Sequence, residues 1–387
     1  MSRFCLCGGD FCAFNLGFVA DPCNAVHEIG CCNTKPGPSG FGWHSTAHEV
    51  CASLCKRLDG KLVVVTGGNA GVGLEVSKAL YEVGATVILA CRSEARALTA
   101  MKHITTSASP LGGAPGSLVF VPLDLSSLAS VEACAKSISA MSEPLSALVC
   151  NAGMMAVPFA LTGDGLETQF QVNYLAHHHL SMLLLDKLKA SAPARIINVS
   201  SISHAWVPFP GGCCGSACGL CFGGFDLTGK RFPAKSAGYC AYEAFEDYSY
   251  SKAAQVIMTK ELDRRVLRGT GVASIALEPG LSVVSGIADG SPCLRFVTNY
   301  TCIPKIMGAL VGKSLPQMAS TVVFAALSDT VKSGDYLRNV NMASPVGPAA
   351  DAANGPLLWE LSTQALSAHA ASSAGRPRVS APQPVTM

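Results

Sequence analysis

Leu62-Val63-Val64-Val65-Thr66-Gly67-Gly68-Asn69-Ala70-Gly71-Val72-Gly73 decides the fold. Its first five residues form an unbroken aliphatic, β-branched run, which reads as a strand covered on both faces. Glycines then crowd the next seven positions, and Leu74-Glu75-Val76-Ser77-Lys78-Ala79-Leu80 carries a helical pattern. Strand, glycine turn and helix in that order suit a pyrophosphate. Glycine lets the backbone approach the anion and the helix pack close to the strand, while free amides at the helix start attract the phosphate charge. Because glycine supplies 38 of the 387 residues, the pattern gains its specificity from this setting.

Further runs of the same kind follow, at Thr86–Ala90, Leu118–Val121, Leu145–Val149, Ile196–Val199 and Val272–Leu277, alternating with helix-length amphipathic stretches. That alternation predicts an α/β fold: a Rossmann-type, doubly wound parallel sheet in a single domain over residues 59–366, with ligands at the carboxyl ends of the strands. Residues 1–58 read as a Cys/Gly-rich extension and 206–247 as an insertion at the surface. The Ala/Ser/Pro-rich residues 367–387 read as a disordered tail. About twenty residues past the glycine turn, an acid would take the ribose hydroxyls of NAD, whereas an arginine accommodates a 2′-phosphate. This chain has Cys91-Arg92 there and no acid in reach, which favours NADP(H).

Charged residues make up only 14% of the chain and the net charge is +2, so there is no field to hold a polyanion and nucleic acid is excluded as a partner. Mean hydropathy is +0.35, yet the most apolar candidate span, Phe296 to Val311, contains Pro304 and Lys305. A spanning helix is therefore not expected; peripheral membrane contact stays open. Eight of the 18 cysteines (Cys5, Cys7, Cys12, Cys23, Cys31, Cys32, Cys51 and Cys55) precede residue 56. No secretory pattern opens the chain, since Arg3 is a lone early cation and Asn15 interrupts the apolar stretch Phe11 to Ala20. The expectation is an intracellular, reducing compartment, cytoplasmic or peripheral to an organelle membrane, with free thiols that also invite S-acylation.

Tyr248-Ser249-Tyr250-Ser251-Lys252 opens a helical stretch through Leu262, and a spacing of four puts Tyr248 and Lys252 on one face. A phenol titrates near 10, but a cation one turn away stabilises the phenolate and brings the proton within range of transfer to a carbonyl. Ser201, just past the strand Arg195-Ile196-Ile197-Asn198-Val199, can hydrogen-bond the same oxygen and fix its angle.

Taken with Thr66-Gly67-x-x-x-Gly71-x-Gly73 and Asn151-Ala152-Gly153, these residues resemble the short-chain dehydrogenase/reductase family over about residues 45–365. The resemblance implies Tyr248 as proton donor, Lys252 as a second contact to the nicotinamide ribose, Ser201 as substrate orienter and Asn173 as the end of a proton relay. Thr66, Gly67, Asn69, Gly71, Val72 and Gly73 would hold the pyrophosphate. Arg92, Asp124 and Leu125 would meet the adenosine end, Asn151, Ala152 and Gly153 would line the sheet beside the cofactor, and Pro279 and Gly280 would flank the nicotinamide. Leu89-Ala90-Cys91-Arg92, Asp164-Gly165-Leu166-Glu167-Thr168-Gln169-Phe170-Gln171-Val172-Asn173 and Ser191-Ala192-Pro193-Ala194-Arg195 are similar to the retinol dehydrogenase and WW-domain oxidoreductase group. No WW domain is visible. The group implies a hydrophobic small-molecule substrate and leaves homo-oligomerisation open. Two rival readings are an NADP(H)-sensing interaction protein on a membrane complex and a photoenzyme like protochlorophyllide reductase.

Departures remain. Glu278 stands where the family usually has His, and 47 positions separate Ser201 from Tyr248. Cys213, Cys214, Cys218 and Cys221 in the insertion could form a zinc-thiolate site or a redox dithiol, against the plain reading of free thiols; no metal is assigned. His177-His178-His179 point in different directions on a helix and read as its surface or a subunit contact. Leu294, Phe296, Val297, Ile303, Ile306 and Met307, within residues 281–315, suit a lid over an apolar substrate, a membrane surface or core.

Overall fold

All six predicted strands form in the computed structural model, which describes residues 35–206, 241–280, 312–373 and 384–386. They are β1 (Leu62–Thr66), β2 (Thr86–Cys91), β3 (Ser117–Pro122), β4 (Leu145–Cys150), β5 (Ala194–Val199) and β6 (Val272–Glu278). Three short strands complete the sheet: β7 (Tyr336–Arg338), β8 (Asn341–Ala343) and β9 (Val385–Thr386). Their order is β8-β7-β6-β5-β4-β1-β2-β3-β9. β1 to β7 run parallel, and β8 and β9 close the edges antiparallel to β7 and β3. The order reverses at β1, which pairs with β2 on one side and β4 on the other. The crevice of a doubly wound sheet opens above that switch point.

Alternate residues of β1 feed two cores. Leu62 and Val64 pack with α4 (Leu128–Ser139), α5 (Ala176–Leu183), α6 (Leu185–Ala190), α7 (Ala241–Leu262) and α9 (Asn354–Ser373). Val63 and Val65 pack with α1 (Ala47–Leu54), α2 (Gly71–Glu82), α3 (Glu94–Ser107) and α8 (Leu315–Leu327). Burial on both faces is what the unbroken aliphatic run demands.

Three expected boundaries move. The end of the supposed extension belongs to the domain: Thr46 and Glu49 cap α1 reciprocally, and Ala47, Val50, Cys51 and Leu58 are core residues. The tail does not begin at residue 367, because α9 runs to Ser373 and Val385 and Thr386 pair with Phe120 and Val119. The helix carrying Tyr248 starts at Ala241, inside the expected insertion. Cys5 through Cys32, the insertion's four cysteines and the lid residues Leu294 to Met307 lie outside the described residues. The histidine triplet is also corrected, since His177 is 1% and His178 7% exposed. A π-helical turn, Gln171–Leu175, precedes α5; His177 meets Thr66 at the end of β1, and His178 packs on Tyr174 and on Trp359 of α9.

Candidate active site

Above the switch point lies a cavity of about 790 Å³. One end of its wall is the glycine turn. Gly67 and Gly71 take φ of +65° and +55°, in the left-handed region that suits glycine. A Cβ on Gly73 would stand 2.4 Å from the Gly67 carbonyl oxygen, so the helix can meet the strand here only without a side chain. The helices α1, α3 and α4 are capped by the side chains of Thr46, Ser93 and Ser127, whereas Ala70 before α2 offers no such cap and no acid sits in its first turn. The first amides of α2 thus have no side-chain cap among the described residues and sit beside Asn69, Gly71 and Val72 of the cavity wall. This cradle fits a pyrophosphate in shape and in charge.

Thr66 lies behind the wall and orders it. Its Oγ1 accepts the amides of Asn151 (2.9 Å) and Ala152 (3.0 Å) and meets Nε2 of His177 at 2.9 Å. The His177 Nδ1–H in turn donates to the Asn173 carbonyl at 3.0 Å. Burial holds the His177 imidazole neutral, its pKa pushed down to about 4.

Further along, Arg92 follows β2 and lines the cavity with Ser93 and Arg96, opposite Asp124, Leu125 and Ser126 beyond β3. Asp124 accepts both the amide (2.9 Å) and the hydroxyl (2.7 Å) of Ser126, which fixes that loop. The two guanidiniums form a cationic corner of the cavity.

At the other end Ser201, Tyr248 and Lys252 meet Gly153, Pro279 and Gly280 in the same wall. The Lys252 Nζ stands 5.7 Å from the centre of the Tyr248 ring. It donates to the Val199 carbonyl (2.8 Å) and to Oε1 of Gln255 (3.1 Å). Burial pushes the Tyr248 phenol up to about 12, with the hydroxyls of Ser201 and Ser203 beside it pulling the other way. Burial draws the Lys252 ammonium down to about 7. The phenol therefore carries its proton at neutral pH, as a donor must.

Asn173 does not reach the cavity. Its Oδ1 accepts the Met154 amide (2.9 Å), and its Nδ2 donates to the Met154 carbonyl (3.0 Å) and to Ser251 Oγ (2.9 Å), tying the loop after β4 to α7. Glu278 also stays out of the wall; it is buried against Arg338 (2.6 Å) and takes the Tyr336 hydroxyl at 3.3 Å. Sequence reasoning missed Arg96, Met155, Val157 and Met318 in the wall. Arg96 was readable, as a second arginine in the first turn of the helix that follows Arg92. Met318 was not, because only the packing of α8 brings it there.

A family model described as short chain dehydrogenase matches residues 61–218. The WW domain-containing oxidoreductase of Homo sapiens is 36% identical over 346 residues, 88% of this chain and 76% of that protein. Retinol dehydrogenase 11 of Homo sapiens is 33% identical over 321 residues, 82% of this chain and 89% of that protein. The chain belongs to the short-chain dehydrogenase/reductase family. Within that family of oxidoreductases it falls in the retinol dehydrogenase and WW-domain oxidoreductase group. Among solved structures, an uncharacterised protein from Mycobacterium Paratuberculosis superposes with a TM-score of 0.57 at 27% identity, covering 84% of this chain and 98% of that one. No helix among the described residues is long and apolar enough to cross a membrane.

Proposed function

We propose that this chain is an NADP(H)-dependent carbonyl reductase, or alcohol dehydrogenase in the reverse direction, acting on a hydrophobic substrate such as a retinoid, steroid or lipid aldehyde. The observation that carries the reading is that one cavity wall holds the uncapped glycine turn at one end and Ser201, Tyr248 and Lys252 at the other. When bound, the nicotinamide supplies or accepts the hydride. Ser201 hydrogen-bonds the substrate oxygen and sets its angle. Tyr248 gives its proton to that oxygen as negative charge grows there, and the Lys252 ammonium stabilises the phenolate left behind. Thr66 and Asn173 hold the loop Asn151 to Met154 in register, so the wall beside the reacting centre stays put. Arg92 and Arg96 support NADP(H) through the 2′-phosphate. Met154, Met155 and Val157 support an apolar substrate. The likeness to retinol dehydrogenase 11 agrees with an apolar substrate.

The test is turnover, read by cofactor absorbance, with NADPH and with NADH against retinal, steroid ketones, long-chain aldehydes and, as polar controls, sugars and hydroxy acids. Oxidation of NADPH in preference to NADH with the apolar set is the expected result. Tight NADPH binding without turnover on any carbonyl would favour a sensing role instead.

A further inference from the structure

Lys252 is held by two acceptors, and one of them has no assigned part in the reaction. Gln255 lies three residues further along α7 and is 2% exposed. Its Oε1 takes the Lys252 ammonium at 3.1 Å, while its Nε2 is buried without a hydrogen-bond partner among the described residues. A side-chain amide can present either atom; turned over, it would set N–H groups against an ammonium that can only donate. The orientation is therefore fixed from the lysine side alone. A core that leaves the amide NH2 unmatched in order to aim the amide oxygen at a lysine is keeping that oxygen for the lysine.

We propose that Gln255 is a positioning residue for Lys252: with the Val199 carbonyl it fixes the ammonium at the cavity wall and holds it in the charged form that the phenolate needs. The inference deepens the reading of Lys252 as the cation of the reaction and rests on it. The amide oxygen favours the charged form, against the burial that disfavours it. Among the described residues three other titratable groups face Lys252: Tyr248 one turn back on α7, Cys150 at the end of β4, and His177 on α5. Burial pushes the phenol and the thiol each up to about 12 and the imidazole down to about 4. None of the three changes charge between about pH 5 and pH 10, so Lys252 titrates against a constant background.

The experiment reads that titration directly, from the pH dependence of the Lys252 side-chain NMR shift in isotopically labelled protein, the resonance being assigned by its loss in Lys252→Arg. Gln255→Met keeps the length and removes the oxygen, and is expected to lower the midpoint by about one pH unit. Gln255→Glu places a carboxylate at the same spot and is expected to raise the midpoint by at least as much. Neither spectrum needs a substrate or NADP(H), so the outcome is separate from whether reductase activity is found. A midpoint that is unchanged in both variants, or that moves the same way in both, would reduce Gln255 to packing and overturn the proposal. Should Gln255→Met fail to fold, Gln255→Glu decides alone: a midpoint at or below that of the natural protein overturns it.

Discussion

Single side chains do different work here according to whether they face the cavity or stand behind it. Arg92 and Arg96 face it, and a guanidinium pair holds a phosphate through paired N–H donors that a ribose hydroxyl cannot engage in the same way. Replacing both with alanine is expected to raise KM for NADPH at least tenfold, about 1.4 kcal/mol of binding, while leaving KM for NADH within about twofold. Steady-state kinetics with the two cofactors checks this; equal losses for both would place the arginines elsewhere. Thr66, Gly73 and Asn173 stand behind the wall; the close helix–strand packing at Gly73 was readable from its place in the turn, whereas the work of Thr66 and Asn173 was not. The resemblance to the family implies that Asn173 belongs with the site. It does not show that the amide is spent on Met154 and Ser251, because those contacts join segments far apart in the chain.

Among the elements, the long parallel strands were legible to within a residue or two, since strands covered on both faces must be apolar throughout. β7, β8 and β9 are three, three and two residues long, too short for any period to emerge. α1 was within reach: Thr46-x-x-Glu49 is a capping box, with Thr46 N donating to Glu49 Oε2 at 2.8 Å and Glu49 N to Thr46 Oγ1 at 3.3 Å. The surrounding cysteines and glycines masked it. α9 was harder. Its second half is Ala- and Ser-rich, and what holds the helix is tertiary: Leu358 is fully buried, Ser362 bonds the Tyr174 hydroxyl at 2.7 Å, and Arg265 sits 5.2 Å over the Trp359 ring. Small residues allow that close approach, and they also make the stretch look unfoldable on composition alone. The π-helical turn at Gln171–Leu175 was hidden for a related reason, as its apolar spacing is that of an ordinary helix.

Taken together, the buried imidazoles make the fold sensitive to acid. Burial pushes His177, His178 and His204 each down to about 4 from an ordinary 6.5. An unfolded chain binds protons at these sites below pH 6.5 while the folded chain does not, so stability falls as pH drops from there towards 4. Well inside that window each site contributes a slope of about 1.4 kcal/mol per pH unit. Glu167 works in the opposite sense: burial raises it from 4.5 to about 7, so the folded chain gains a proton there, and it offsets one histidine in part. The net expectation is a lower thermal midpoint at pH 5 than at pH 7. His178 stacks on Tyr174 and meets the Trp359 ring edge-on, at 6.1 and 5.6 Å, and its Nδ1 has no partner among the described residues. His178→Phe keeps the aromatic contacts and removes the titration, so its midpoint should vary less between those two pH values. Equal variation in both proteins would show that this imidazole is not the source.

The most direct measurement compares Tyr248→Phe with the natural protein, recording NADPH affinity and turnover side by side. The phenylalanine keeps the ring beside Lys252 and loses only the hydroxyl. The expected result is an NADPH Kd within about twofold and a fall in kcat of at least about a hundredfold, the usual contribution of a placed acid. Turnover that survives the change while NADPH binds as before would contradict the assignment of Tyr248 as the proton donor.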